Sequence, residues 1–205
     1  MSFKKNKYIV LKKAISPELA DFVYKYFLSK RKVARFLFDQ KYLSPFNREY
    51  GMWNDPQVPA TYCHYSDLVM ETLLQEIKPT VEKHTTLKLN ETYSYARIYK
   101  KGDVLIRHKD RHSCEVSTTL NLGGEPWPIY LDPTGRAGQD GVEINLDPGD
   151  MVIYSGCDLE HWREEFKGKN CGQVFLHYND SKSKDAKKNK FDTRPMLGLP
   201  KWFRK

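Results

Sequence analysis

At 205 residues with a net charge of +8, the chain is long enough to bury one substantial core and short for two, so a single domain over 1–205 is expected. Lysines crowd the two ends (Lys4, Lys5, Lys7, Lys12 and Lys13; then Lys182, Lys184, Lys187, Lys188 and Lys190), a pattern that more often marks solvated tails than a nucleic-acid surface. No apolar run reaches membrane-spanning length, no apolar leader follows the first lysines, and Cys63, Cys114, Cys157 and Cys171 lack the spacing of a disulfide framework or zinc module. The expectation is an intracellular, cytoplasmic protein with free thiols and no membrane partner.

Tyr8 to Leu11 reads as a short strand. Ser16-Pro17-Glu18 then opens a helix, with Ser16 as cap and Leu19, Phe22, Val23, Tyr26 and Phe27 at helical spacing. Phe36 to Pro45 reads as loop or strand, and the breaker-rich GMWNDPQVPATY as a surface segment that covers the core. Ser66-Asp67 caps a second helix carrying Leu68, Leu73, Leu74, Ile77 and Val81, which Pro79 is expected to end or kink.

From about Glu91 the pattern changes to period two. Tyr93, Tyr95, Arg97 and Tyr99 share one face of a strand, and Ser94, Ala96 and Ile98 the other. Further strands are read in Val104–Asp110, Cys114–Leu122, PWPIYLD, VEINL, MVIY after the Pro148-Gly149-Asp150 turn, and Gly172–Tyr178. SKSKDAKKNK is polar and not expected to pack, while FDTRPMLGLPKWF returns to the surface of the domain. The fold class is therefore mainly β with flanking helices (α+β): a small antiparallel barrel over about 91–180, helical support over 1–90 and a tail over 181–205.

The chemistry concentrates in YSYARIYKKGDVLIRHKD. In a strand, residues two apart face one side, so His108 and Asp110 present an imidazole and a carboxylate to one point. His161, after LDPGDMVIYSGCDLEHW, would complete a facial set of two histidines and one carboxylate. Such a set leaves half of an octahedral Fe(II) open for a bidentate co-substrate and O2. His64, His84, His112 and His177 show no partner at a useful spacing.

The HKD triplet, the PGDMVIY strand, the distal His161 and the closing QVFLHY together resemble the Fe(II)- and 2-oxoglutarate-dependent dioxygenases, nearest to the prolyl 4-hydroxylase-like branch. The resemblance covers about residues 90 to 180. It implies a double-stranded β-helix (jelly roll) braced by the N-terminal helices, with Fe(II) on His108, Asp110 and His161. It further implies 2-oxoglutarate as co-substrate, ascorbate as an accessory reductant, and hydroxylation of a C–H bond with release of succinate and CO2. The branch favours a prolyl residue in a peptide, with a small molecule or a nucleobase as alternatives.

Relatives commonly hold the far carboxylate of 2-oxoglutarate with an Arg or Lys at the position occupied here by Cys171. Arg163, two residues past His161 and so on the same strand face, is the replacement expected, with Lys169 as runner-up. Tyr99 matches a tyrosine that several relatives place against the co-substrate, Arg97 shares its strand face, and Thr119 and Gln173 occupy strand positions whose equivalents line the co-substrate pocket in relatives. Asp103 and Arg111 stand near the metal strand as partners that could orient its ligands. A cupin-like binding or structural module without oxygenase activity is the competing reading, which the missing basic residue at Cys171 supports.

Overall fold

Strand pairing starts earlier in the chain than the period-two stretch. The computed structural model describes residues 3–44, 46–136 and 138–203. In chain order it contains α1 (Phe3–Asn6), β1 (Tyr8–Leu11), α2 (Pro17–Asp39), β2 (Tyr62–Tyr65), α3 (Leu68–Thr85), β3 (Leu89–Lys100), β4 (Leu105–His108), β5 (Val116–Gly124), β6 (Ile129–Leu131), β7 (Val142–Ile144), β8 (Met151–Ser155), β9 (His161–Arg163), β10 (Asn170–Asp180) and α4 (Ala186–Asn189). The strands form a six-stranded sheet, β1-β8-β5-β10-β3-β2, and a four-stranded sheet, β4-β9-β6-β7, with antiparallel pairing throughout. This is the expected jelly roll, but it draws on more of the chain than 91–180: the strand read at Tyr8–Leu11 is β1, and both it and the unanticipated β2 belong to the larger sheet.

Alternation sorts the two faces of the larger sheet. Ala96, Ile98, Leu120, Leu122, Val174 and Leu176 point outward and bury the apolar stripes of α2 and α3, including Val23, Phe27, Leu74, Ile77 and Val81. Both helices thus brace the larger sheet from outside. Ser16 caps α2, its hydroxyl accepting from Leu19 N–H at 3.2 Å, and Asp67 caps α3 by accepting from Val69 and Met70.

Three expectations need correction. The Phe36–Phe38 stretch is helical: α2 runs on to Asp39, because Ala34 is fully buried beneath it and no breaker interrupts the chain before Gln40. Pro79 neither ends α3 nor marks its limit; Leu74, Ile77 and Val81 on either side are buried, and their packing outweighs the helix bond that Pro79 lacks. The polar run after Asp180 does pack, forming α4 with Ala186 buried.

Beyond α4 the chain crosses back over β3 and α3. Arg194 is fully buried there, donating to Glu71 at 2.8 and 3.3 Å and to the Thr92 carbonyl at 3.1 Å. Among the described residues no helix is long and apolar enough to cross a membrane.

Candidate active site

The inward faces of the two sheets enclose a cavity of about 330 Å³. Tyr93, Tyr95, Arg97 and Tyr99 of β3 and Phe175 and His177 of β10 line it from the larger sheet, Leu105 and His108 of β4 and His161 of β9 from the smaller one. Register sets the levels: on β10, Cys171 faces Tyr99, Gln173 faces Arg97, Phe175 faces Tyr95 and His177 faces Tyr93.

His108 ends β4 directly opposite His161 at the start of β9, with ring centroids 4.3 Å apart. β4 stops at His108, so Asp110 does not share its strand face as expected. Instead the Asp110 N–H donates to the Gly156 carbonyl at 2.8 Å, and this turn brings the carboxylate back. Asp110 Oδ1 lies 3.9 Å from His108 Nε2 and 3.6 Å from His161 Nε2, and the three donor atoms fall within 4.8 Å of one another. His108 Nδ1 donates to the Ile106 carbonyl (2.7 Å) and His161 Nδ1 to that of Leu159 (3.2 Å), which leaves the Nε2 atom of each ring as the acceptor on the Asp110 side. Burial holds the His161 pKa below its usual value, opposed by the Asp110 carboxylate. Burial opposes ionisation of Asp110, but His161, His177 and the Ser117 hydroxyl outweigh it and hold the carboxyl below the usual range. Two imidazoles and a carboxylate converging on one point form a donor set that fits Fe(II).

Arg163 lies on β9 opposite Leu105 and is only 1% exposed. Its guanidinium stacks 4.9 Å over Trp127 and Nη1 donates to the Trp127 carbonyl, but Nε and Nη2 have no hydrogen-bond partner. Burial pushes its pKa down, opposed by neighbouring Cys171, Tyr99 and Tyr154. The hydroxyl of Thr119 and Oε1 of Gln173 are also buried without partners, while Gln173 Nε2 donates to Asn121 at 3.0 Å. A cation and two polar groups left unmatched in an apolar interior fit a dicarboxylate arriving from outside. Lys169 is exposed, and its backbone N–H donates to the Glu125 carboxylate. Cys171 is buried opposite Tyr99.

Arg97 lines the cavity, yet its charge is already matched: Nη2 donates to Asp55 at 2.5 Å and to Gln57 Oε1 at 3.0 Å, and Nη1 to the Tyr99 hydroxyl at 3.1 Å. An arginine only donates, so Gln57 must turn its oxygen to Arg97 and its amide nitrogen to His108 Nε2, 2.9 Å away. That assignment agrees with the tautomer fixed by the Ile106 carbonyl. Asp103 is held by Thr61 and Lys100, and Arg111 pairs with Asp192 while stacking on Tyr93.

Several residues of the site escape the sequence reading. Asp55 and Gln57 sit in the breaker-rich segment taken as mere cover, where nothing local marks them. His177, read as lacking a partner, has one: strand register sets it beside Ser117, whose hydroxyl is 3.0 Å from His177 Nδ1 and 2.6 Å from Asp110 Oδ2. Cys114 joins Asp110 and His177 in a second group of donors within 4.8 Å. Gly156 also matters, since a Cβ there would stand 2.4 Å from Asp110 Oδ2 and 2.6 Å from the Ser117 hydroxyl.

No family model and no curated protein matches the sequence. Solved structures do. AviO1 from Streptomyces viridochromogenes Tue57 aligns at a TM-score of 0.65 with 13% identity, over 90% of this chain and 94% of its own. A prolyl-4-hydroxylase of Pseudomonas putida aligns at 0.58 with 13% identity, over 86% and 95%. HygX from Streptomyces hygroscopicus, solved with nickel and 2-oxoglutarate bound, aligns at 0.59 with 12% identity, over 88% and 85%. At such identities the likeness is one of fold, and the chain has the jelly-roll fold of the Fe(II)- and 2-oxoglutarate-dependent oxygenases.

Proposed function

We propose that this chain is an Fe(II)- and 2-oxoglutarate-dependent dioxygenase that hydroxylates a C–H bond, with a prolyl residue in a peptide as the favoured target. His108, Asp110 and His161 hold the metal through Nε2, Oδ1 and Nε2. Arg163 receives the far carboxylate of 2-oxoglutarate, with Thr119, Tyr99 and Gln173 completing a polar lining along its length. Bound there, Fe(II) and 2-oxoglutarate would supply the oxidative decarboxylation to succinate and CO2 that delivers one oxygen atom of O2 to the substrate C–H bond. The buried walls of Phe175, Leu105 and Ile129 keep bulk water from the reacting centre.

The observation that carries this reading is the coincidence of two independent features. Three side chains able to hold a metal converge in the cavity, and a buried arginine with two unpartnered nitrogens stands near Tyr99 and Tyr154, which line the same cavity. A binding module with a vestigial site has no reason to bury that charge, which costs several kcal/mol when unmatched. Room for a peptide is offered by a second cavity of about 710 Å³, walled by Phe46, Met52, Tyr65, Pro200 and Trp202 and sharing Tyr95 with the first. The prolyl-4-hydroxylase among the neighbours in fold supports the choice of target.

The test is incubation with Fe(II), 2-oxoglutarate and a proline-containing peptide library under air. Succinate together with a peptide product heavier by one oxygen is the expected result. Succinate without a modified peptide would retain the oxygenase and discard the peptide; no succinate from any substrate or from 2-oxoglutarate alone, and no binding of 2-oxoglutarate, would discard both.

A further inference from the structure

The two oxygens of Asp110 face different partners. Oδ1 is turned to the imidazoles of His108 and His161, while Oδ2 is turned away from them, to the Ser117 hydroxyl 2.6 Å away. Ser117 in turn lies 3.0 Å from His177 Nδ1 and 3.0 Å from the Cys114 carbonyl. A serine hydroxyl carries one proton, and a charged acceptor at the shortest distance takes it, so Ser117 donates to Asp110. The hydrogen bond with His177 must then run the other way, from Nδ1–H to the Ser117 oxygen. That contact assigns His177 the tautomer with its proton on Nδ1, in the neutral form that burial favours by pushing its pKa down to about 4.

The surroundings fix each member of this chain. Ser117 and His177 are direct cross-strand partners on β5 and β10, so their separation is set by sheet register rather than by a mobile loop. The His177 ring packs 4.6 Å from Tyr93, which packs 5.1 Å from Tyr65, and its carbonyl accepts from Thr92. On the other side Gly156 supplies the clearance, because any side chain there would collide with both Asp110 Oδ2 and Ser117. A free carboxylate would rotate about its terminal bond and present either oxygen, or both, to a metal. Here one rotamer is pinned.

Resting on the metal site of the proposed function, we infer that His177 is a positioning residue: through Ser117 it clamps Oδ2 of Asp110 so that Oδ1 alone serves as the metal donor, which keeps the neighbouring coordination position open. His177 touches no reacting atom. Its role is to maintain one-oxygen ligation by a carboxylate that has a second oxygen within reach.

The test is anaerobic Co(II) titration of the full chain, read by ligand-field absorption, on wild type, Ser117→Ala, His177→Phe and His177→Gln, with melting temperature as the control for folding. His177→Phe keeps a ring against Tyr93 and deletes the donor; His177→Gln keeps an N–H. Loss of such an outer hydrogen bond weakens metal binding by about 10- to 100-fold. The expected result is that loss in Ser117→Ala and His177→Phe, a changed cobalt absorption envelope as the second oxygen enters, and substantial recovery in His177→Gln. Wild-type affinity and spectrum in His177→Phe would overturn the inference, as would equal loss in His177→Gln and His177→Phe at unchanged melting temperature. If His177→Phe does not fold, Ser117→Ala decides the matter alone by the same two readouts. A second equivalent of cobalt with an intense thiolate band, lost in Cys114→Ala, would instead make Asp110, Cys114 and His177 a metal site and also overturn it. Failure of wild type to bind cobalt at all, unchanged by His161→Ala, would sink the metal reading itself and this inference with it.

Discussion

Replacing Arg163 by methionine should move ligand affinity and stability in opposite directions. The side chains have similar length, so the change deletes a charge without opening a large void. With 2-oxoglutarate in place, the two guanidinium nitrogens that lack partners, Nε and Nη2, would each donate to its far carboxylate. Hydrogen bonds to charged groups contribute roughly 1.5–3 kcal/mol each. Allowing for incomplete additivity, a loss of about 3–4 kcal/mol is expected, which at about 1.4 kcal/mol per decade is roughly 150- to 700-fold in Kd. In the free protein those same nitrogens are a liability. An unsatisfied buried polar group costs about 1–3 kcal/mol, and the Trp127 carbonyl that loses its Nη1 donor offsets about 1 kcal/mol of the gain. At about 2–4 °C per kcal/mol for a chain of this size, the metal-free variant should melt a few degrees higher than wild type. Calorimetric titration of 2-oxoglutarate into the Ni(II)-loaded protein measures the first effect and scanning calorimetry of the metal-free protein the second. A Kd within about threefold of wild type, or a melting temperature that falls as it would for an ordinary core deletion, would refute the assignment of Arg163 to an anion.

His108→Ala, Asp110→Ala and His161→Ala should each abolish succinate formation while leaving the melting temperature of the metal-free protein within a few degrees, since none belongs to the apolar core; succinate at near wild-type rate removes that residue from the site. Gln57→Ala should bind Co(II) about 2- to 10-fold more tightly, because the amide that competes for the His108 Nε2 lone pair, a bond of about 0.5–1.5 kcal/mol, is gone; weaker or unchanged binding contradicts the orientation deduced for Gln57. Asp67 accepts from Lys30 (2.5 Å), Tyr26 (2.7 Å) and His64 (3.2 Å) as well as capping α3; burial opposes its ionisation, but His64 and Lys30 outweigh this and hold its carboxyl well below the usual range. Because the folded pKa is depressed, the stabilisation is complete above the unfolded value near 3.9 and fades as pH falls through the folded one. Asp67→Asn should therefore cost about 2–4 kcal/mol by urea unfolding at pH 7, with the gap from wild type narrowing only below about pH 4; a gap that closes already between pH 7 and 5 would disprove the linkage.

What the sequence made legible was whatever the chain writes locally. Period-two alternation over Tyr93–Tyr99 identified the cavity wall, and a two-residue offset sufficed to place Arg163 on the His161 face of β9. His108, Asp110 and His161 could be singled out because their side-chain types are rare in combination, even though the reason given for bringing Asp110 to the histidines was wrong: a turn held by Gly156, and not a shared strand face, returns its carboxylate. What stayed hidden depends on pairing between distant segments. His177 and Ser117 are sixty residues apart, and only register on β10 and β5 makes them neighbours. Asp55 and Gln57 reach Arg97 and His108 across the cavity mouth from a segment whose prolines advertise irregularity and nothing else. The helical continuation to Asp39 was lost for the opposite reason, since three bulky residues in a row imitate a strand until burial of Ala34 is known.

The position of β10 has a consequence for synthesis. Among the described strands it is the last in sequence, yet it lies inside the larger sheet and bonds along both sides, to β3 and to β5. While the ribosome is still translating the residues before Asn170, β3 and β5 each carry an unpaired edge that no neighbour can cover, and His177 is not yet there to reach Ser117. Closure of the sheet must wait until this strand clears the exit tunnel, and it then proceeds through pairings of long sequence separation, which are intrinsically slow. Nascent chains that stall between Gly124 and Asn170 should accordingly be the species most prone to pair with one another or to be held by chaperones.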